Sequence, residues 1–386
     1  MKIKMVVFLL TLTGMTGLFA QNAFILYPPV LGGSHPQIDV INETLRDEFR
    51  NIEDSIRSEI GGIISNPYPQ NLIGAFATSS VFSSTGASLR SYQGYNIFAL
   101  TVGAMAGIQF PRGLFSMFGN LANLDSEMDK MLNDIYESGD IQLGINPQIV
   151  NAQFGINTKF LLKGLYLGVK GGYMKLPTLN LNGFKTTFQT WSIGGLVNYQ
   201  LIPQFRLLGG IFVWRGINLG TGFIYQNTTL EVGIPLPLDT ELEPIDFAGI
   251  AQANFSLNNT KFDLGFNVNT YTIPLEVVTS FRVLGFLNVS VGMGADIGFG
   301  NASLGGGIDS KIDIEINGFS YDDVHQVTPG RLSISMGGSG SPSLLNPKAM
   351  TSFGFSAGPA IVLDIPITYY FLDNGYNIGF TLGFAL

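Results

Sequence analysis

Hydrophobic and polar residues alternate along most of this chain. From Leu287 the odd positions Leu287, Val289, Val291, Met293, Ala295, Ile297 and Phe299 are apolar. The even positions between them, Asn288, Ser290, Gly292, Gly294, Asp296 and Gly298, are small or polar. Successive strand side chains point to opposite faces, so this spacing predicts a strand with one greasy and one polar face. The pattern recurs in Val150–Phe160, Phe247–Leu257, Phe262–Val268, Ile308–Ile316, Phe353–Ile365 and Tyr376–Leu386. Turn chemistry separates the runs at Leu162-Lys163-Gly164, Ile202-Pro203-Gln204, Asn258-Asn259-Thr260 and Leu284-Gly285-Phe286. Longer polar breaks near 217–244, 300–307, 318–330 and 337–348 read as loops, and a short helix is expected between Arg112 and Gly144.

One segment has a different period. Ile41, Leu45, Phe49, Ile52, Ile56, Ile60 and Ile63 step by three or four residues, which places them on one helical face. Charged residues from Glu43 to Glu59 fill the other faces. Asp39 suits the N-cap and Gly61-Gly62 the stop. Such a stripe packs on the barrel or a loop, plugs a lumen through Ile41, Leu45, Phe49, Ile52, Ile56 and Ile60, or associates with itself. Asn66-Pro67-Tyr68-Pro69 then reads as the hinge into the strands.

Composition decides what kind of strand protein this is. Hydrophobic residues make up 46% of the 386 and charged ones only 12%, about half the usual charge of a soluble domain. Beyond the N-terminus no apolar run of roughly 18 residues occurs, so helical membrane spans are not expected. Lys2 and Lys4 precede the apolar Val6–Leu12, and Leu18-Phe19-Ala20 suits a processing site, so residues 1–20 read as a cleaved export signal. A net charge of -8 gives no footing for nucleic acid, and the absence of cysteine removes thiolate chemistry and a lipoprotein anchor. Trp191, Tyr199, Trp214, Tyr225, Tyr271, Tyr369, Tyr370 and Tyr376 fall near expected strand ends, where membrane-interface girdles sit.

The last residues, Tyr376, Ile378, Phe380, Leu382, Phe384 and Leu386, alternate with Asn377, Gly379, Thr381, Gly383 and Ala385. This ending resembles the closing strand of bacterial outer-membrane β-barrel proteins, and the resemblance implies the barrel-assembly machinery as a partner. Helix followed by many strands is also similar to the long-chain fatty-acid transporters, whose hatch ends in an Asn-Pro like Asn66-Pro67; the Gly- and Ala-rich hatch sequence is missing, so no binding residues carry over.

The expected architecture is all-β: a transmembrane antiparallel barrel of about 14 strands (12–16 by length) over 77–386, behind a helical segment at 21–76. Its charged lumen-facing candidates are Lys159, Lys170, Arg206, Asp246, Asp263, Glu276, Arg282, Asp296, Asp309, Asp313, Glu315 and Asp364. Leu208, Phe212 and Trp214, sharing a side with Arg206, are candidate apolar lumen positions. His35 and His325 are too far apart in sequence to suggest a metal site, and Asp322-Asp323 beside His325 reads as solvated loop rather than catalytic machinery. No cofactor and no enzymatic activity are expected. The functional expectation is a channel or transporter in the outer-membrane lipid for small solutes, hydrophobic ones included. The alternative is a structural or adhesive surface barrel with a closed lumen, acting through its long loops.

Overall fold

The computed structural model describes residues 23–63, 68–85, 95–110, 144–181, 184–207, 210–235, 241–246, 252–317, 320, 322–357 and 361–386. The export signal and the expected Arg112–Gly144 helix lie outside these residues. Two short strands, β1 (Ala23–Tyr27) and β2 (Val30–Gly32), precede helices α1 (Ile38–Ile63) and α2 (Tyr68–Thr85). Strands follow: β3 (Phe98–Gln109), β4 (Gly144–Asn157), β5 (Leu165–Lys175), β6 (Leu179–Leu181), β7 (Phe184–Ile202), β8 (Phe205–Leu207) and β9 (Phe212–Pro235). Then come β10 (Glu241–Asp246), β11 (Gln252–Val283), β12 (Leu287–Asn317), β13 (His325–Thr328), β14 (Gly330–Gly340), β15 (Leu345–Ala357), β16 (Ile361–Tyr370) and β17 (Gly375–Ala385).

Among the described residues fifteen strands form one antiparallel sheet, within the expected range. Its pairings close on themselves. β3, β4, β5, β7, β9, β11, β12, β15, β16 and β17 each pair with the next, and β17 returns to β3, making a ring of ten. The lower rim carries the tight β4–β5 and β11–β12 turns, where Leu284 and Gly285 take φ of 54° and 76°. Leu386 also ends there, its carbonyl accepting from Asn96 and Ile97. Above the ring, β11 and β12 run on as a ribbon. β14 takes over from β15 along β12, β1 pairs with β14, and β10 with β11, giving a five-strand extension.

Several expected loops are therefore strand. Residues 300–307 lie inside β12, 217–235 inside β9, and most of 337–348 in β14 and β15. Asn258-Asn259-Thr260 is a bulge in β11, with Asn259 at φ 55° and a register shift between Asn258 and Lys261, not a turn. The reason is a reversal of polarity. On β12 even positions point inward throughout, but inward Asn288, Ser290 and Asp296 give way to inward Ala302, Leu304, Ile308 and Ile312. Outward residues change the opposite way, from Val291, Met293 and Phe299 to Asn301, Asp309 and Lys311.

The reversal sits at one level on four adjacent strands. It falls between Trp191 and Gln189 on β7, Tyr225 and Asn227 on β9, Tyr271 and Asn269 on β11, and Phe299 and Asn301 on β12. The four rings touch in sequence: Trp191–Tyr225 at 5.2 Å, Tyr225–Tyr271 at 5.0 Å and Tyr271–Phe299 at 5.4 Å between centroids. Immediately above, Asn227 donates to Asn269 (3.0 Å), and Tyr225 Oη donates up to the same asparagine at 2.8 Å. Amphipathic rings backed by amides mark a membrane interface. A second aromatic set, including Phe212 against Phe281 (5.6 Å), lies near the lower rim. From Phe281 to Tyr271, at ~3.3 Å per residue and a tilt near 40°, the apolar band is about 25 Å tall, the height of an outer-membrane span. Below the belt the protein is a transmembrane barrel with a polar inside. Above it the same strands form a water-facing dome with an apolar inside.

The helices belong to that dome. Ile41, Leu45 and Phe49 of α1 are buried against Phe255, Leu257, Ile312, Ile314 and Val324, with Phe49 and Phe255 rings 5.6 Å apart. Ile52 is half exposed, and the side chains of Ile56 and Ile60 lie outside the described residues. The candidate plug stripe therefore packs on the outward extension and not in the barrel. Pro69 begins no hinge: it occupies the first turn of α2, where its missing N–H costs nothing. The boundary expected at residue 76/77 consequently cuts through a helix.

Candidate functional site

The helix inside the ring is α2. It touches β3, β4, β9, β11, β12 and β17, strands from all round the barrel. Its polarity runs lengthwise. Ile73, Phe76 and Ala77 join the dome core with Phe262, Phe266, Val268, Ala302, Leu304 and Ile308. One to two turns on, Ser79, Ser80, Ser83, Ser84 and Thr85 are buried among polar lumen residues. The change along α2 matches the change along the strands it faces. Phe262, Leu264 and Phe266 therefore point in at the dome, not out at lipid as the alternation first suggested.

Hydroxyl contacts fix α2 to the wall. Ser80 meets Thr270 (3.1 Å), Ser84 donates to Thr272 (3.2 Å), and Gln226 donates to Ser83 (2.9 Å). Gln148 donates to the same Gln226 (2.7 Å), and Asn146, Thr190 and Thr228 extend the network. Phe82 stacks on Tyr370 at 3.8 Å, and its carbonyl accepts from Asn377. The helix lies so close that a Cβ at Gly107 would strike the backbone at Ser79 and Ser83, and one at Gly375 would strike the Phe82 ring.

At the lower end of α2 is a buried charge cluster. Lys348 Nζ donates to Glu276 at 2.5 Å and to Asp296 at 2.7 Å, with side chains 2%, 8% and 0% exposed respectively. Asp296 also accepts from Thr85 and Tyr370, both at 2.9 Å, and those two hydroxyls meet each other at 2.9 Å. Lys170 is buried within the electrostatic reach of all three charges. Two basic and two acidic side chains thus gather at the tip of the helix, and hydrogen bonds satisfy Lys348 and Asp296 as buried charges require.

Of the sequence candidates, Lys170, Glu276, Arg282, Asp296 and Asp364 face the lumen. Asp263, Asp309, Asp313 and Glu315 face outward instead, because they lie above the belt where the polar face is the water side. There Arg331 forks onto Asp309 (2.9 and 3.0 Å), holding that carboxyl below the usual range, and Asp313 is lowered by hydrogen bonds from Gln326 and Asn258. Lys159 is exposed in the β4–β5 turn, and Arg206 is exposed on β8. The Asp246 and Leu208 side chains are outside the described residues. Phe212 and Trp214 lie on the outer face, Trp214 donating to Thr279 at 2.7 Å, so they are not apolar lumen. Lys348 is not among the sequence candidates because 337–348 has the polar composition of a loop; the alternation of Lys348, Met350, Ser352 and Gly354 with Ala349, Thr351, Phe353 and Phe355 is the signal that places it on a strand. Ser320 donates to Asp323 (2.6 Å), and His35 Nδ1 accepts from Gln37, so these groups support their own loops.

A family model described as Lsa36-like matches residues 26–386. The chain belongs to the Lsa36-like family. No curated protein matches the sequence. Solved structures that it resembles include Ail, the attachment invasion locus protein of Yersinia pestis, at 10% identity over 75% of this chain and 96% of that one, with a TM-score of 0.20. Others are the translocator domain of the autotransporter NalP from Neisseria meningitidis (9%, 80% and 91%, TM-score 0.26) and the Ralstonia pickettii toluene transporter TbuX (9%, 82% and 98%, TM-score 0.24). At such scores the kind of fold rests on this chain's own pairing: an outer-membrane β-barrel with an internal helix and an outward dome.

Proposed function

We propose that this member of the Lsa36-like family is a surface-display barrel: its lumen is closed by α2, and its activity resides in the dome built from β1, β10, β14, α1 and the ends of β11 and β12. The observation that carries the reading is the buried cluster of Lys348, Glu276, Asp296, Tyr370 and Thr85, which joins the end of the helix to the wall through side chains shielded from solvent. Dome ligands would meet Asp263, Asp309, Lys311, Asp313, Glu315 and Arg331 on the outer face. In this reading residues 1–20 are a cleaved export signal, supported by Lys2, Lys4 and the apolar Val6–Leu12, and the barrel-assembly machinery is the insertion partner, supported by the alternating C-terminal strand. No catalytic role is assigned.

Transport of a small solute is the second reading, supported by a specific feature: α2 meets the lumen through Ser and Thr hydroxyls, and its withdrawal would leave a polar-lined bore. Planar-bilayer recording of the mature chain separates the two. Silence from the intact protein, with conductance after removal of residues 23–85, supports the closed barrel. Frequent spontaneous openings of the intact protein would favour transport.

A further inference from the structure

Thr85 and Tyr95 lie at opposite ends of the lumen. Thr85 bonds to Asp296 and Tyr370 near the upper end of β16. Tyr95 is buried at the lower end, with its ring 4.8 Å from inward-facing Tyr166 and against Gly155, and its carbonyl accepting from Asn157. Next to it, Asn96 and Ile97 bond to the C-terminal Leu386, and β3 starts upward. Ten residue steps reach at most about 35 Å. That is too short to leave the top of the ring, pass around the outside of a membrane-spanning wall and return at the bottom. The ring itself is hydrogen-bonded all the way round. The described ends therefore lie at opposite mouths of a closed ring, with residues 23–63 on one side and the first barrel strand starting on the other.

The two sides can be named. The connections at the lower rim are all short and the C-terminus lies there, whereas the upper side carries the long β3–β4, β9–β11 and β12–β14 connections beside the short β14–β15 and β16–β17 turns. In outer-membrane barrels the short turns are periplasmic and the long loops external. We propose that the barrel delivers its own N-terminal segment: residues 23–63 cross the membrane inside this ring to the cell surface, and α2 is the part of the transit chain left in the bore. The dome supplies the pull. Ile41, Leu45 and Phe49 become buried on Phe255 and Ile312 only after arrival, and β1 then pairs with β14 and β2 with β13. The slot left by Gly107 and Gly375 accepts the backbone of α2 at Ser79 and Ser83 and the Phe82 ring, whereas α1, with its charged flanks, has to pass unfolded.

The chain has no cysteine, so single introduced thiols report cleanly. Glu43→Cys on exposed α1 and Lys163→Cys in the lower turn are labelled with a membrane-impermeant maleimide on intact cells. The proposal expects full labelling at 43 and labelling at 163 only after permeabilisation. Equal accessibility of both would overturn the threading, and labelling of 163 alone would overturn outward delivery. A second arm fuses a small disulfide-stapled domain ahead of residue 23. Passage through a ten-strand bore predicts loss of most labelling at 43 while the staple is closed, and full labelling at 43 in the matched fusion whose staple cysteines are replaced by serine. Undiminished labelling with the staple closed would show that the segment travels by another route. Neither arm depends on whether the mature barrel conducts solutes.

Discussion

Asp296→Ala tests whether the lumen cluster holds the helix in place. In the native lumen Lys348 is shared between Glu276 (2.5 Å) and Asp296 (2.7 Å), and all three side chains are at most 8% exposed. The substitution leaves Lys348 with a single carboxylate and removes the acceptor common to Thr85 and Tyr370. Breaking a buried, hydrogen-bonded ion pair from one side costs about 3–5 kcal/mol, because the remaining charge stays buried. The two hydroxyls, 2.9 Å apart, can then bond to each other, so little is added for them. The readout is urea unfolding in detergent followed by Trp fluorescence, together with bilayer conductance. Asp309→Ala is the control: its Arg331 partner is well exposed, and water replaces the lost contact. The expected result is a much lower midpoint for Asp296→Ala, with frequent channel openings as the end of α2 loosens, and near-native behaviour for Asp309→Ala. Equal effects of the two substitutions would refute the claim that the cluster is buried and anchors the helix. Replacing Lys348 by Met together with Asp296 by Leu removes both charges of that pair and should recover part of the loss, even though Glu276 then remains.

Three further outcomes follow from the polarity reversal and the dome. Met293→Arg, 69% exposed on the lipid face, should cost about 2–4 kcal/mol of folding stability in bilayers, whereas Ser303→Arg, at an odd position of the same strand above the belt, should be tolerated; equal costs would misplace the membrane boundary. Phe266→Ala, buried against Phe76 with centroids 4.9 Å apart, should destabilise by about 3–5 kcal/mol and speed proteolysis within α2, and unchanged protease resistance would count against the shared dome core. Asp309 and Asp313 have folded-state pKa values below their unfolded ones, by hydrogen bonding from Arg331 and from Gln326 and Asn258 respectively. Their stabilisation is complete above the ordinary carboxylate range and is lost as pH falls through the depressed values, so cleavage of α1 by an acid-tolerant protease should rise only below about pH 4, and less steeply in Asp313→Asn.

The strands of the barrel below the belt were readable because lipid outside and polar groups inside impose strict alternation, as at Leu287–Phe299 and Tyr376–Leu386. Where the same strands left the membrane, the alternation persisted but its meaning reversed. Phe262–Val268 and Ile308–Ile316 looked like further lipid-facing rows and were dome core, and 300–307 looked like a loop only because the apolar residues change parity there. The α1 stripe was visible because its apolar side is lateral. The lumen helix was not, because α2 is apolar at one end and hydroxylated at the other, so no stripe appears in its sequence.

By itself the sequence determined the class of the chain, the period of its strands, the amphipathic α1 and which residues share a face, since these depend only on local side-chain chemistry and on the two-residue repeat of a strand. The tertiary structure alone decided which face was in, how many strands close the ring, and which helix enters it. Those outcomes depend on what lies across from each face, lipid, water or another part of the chain, and that is fixed by contacts such as Thr85 with Asp296, 211 residues apart, which no local pattern encodes.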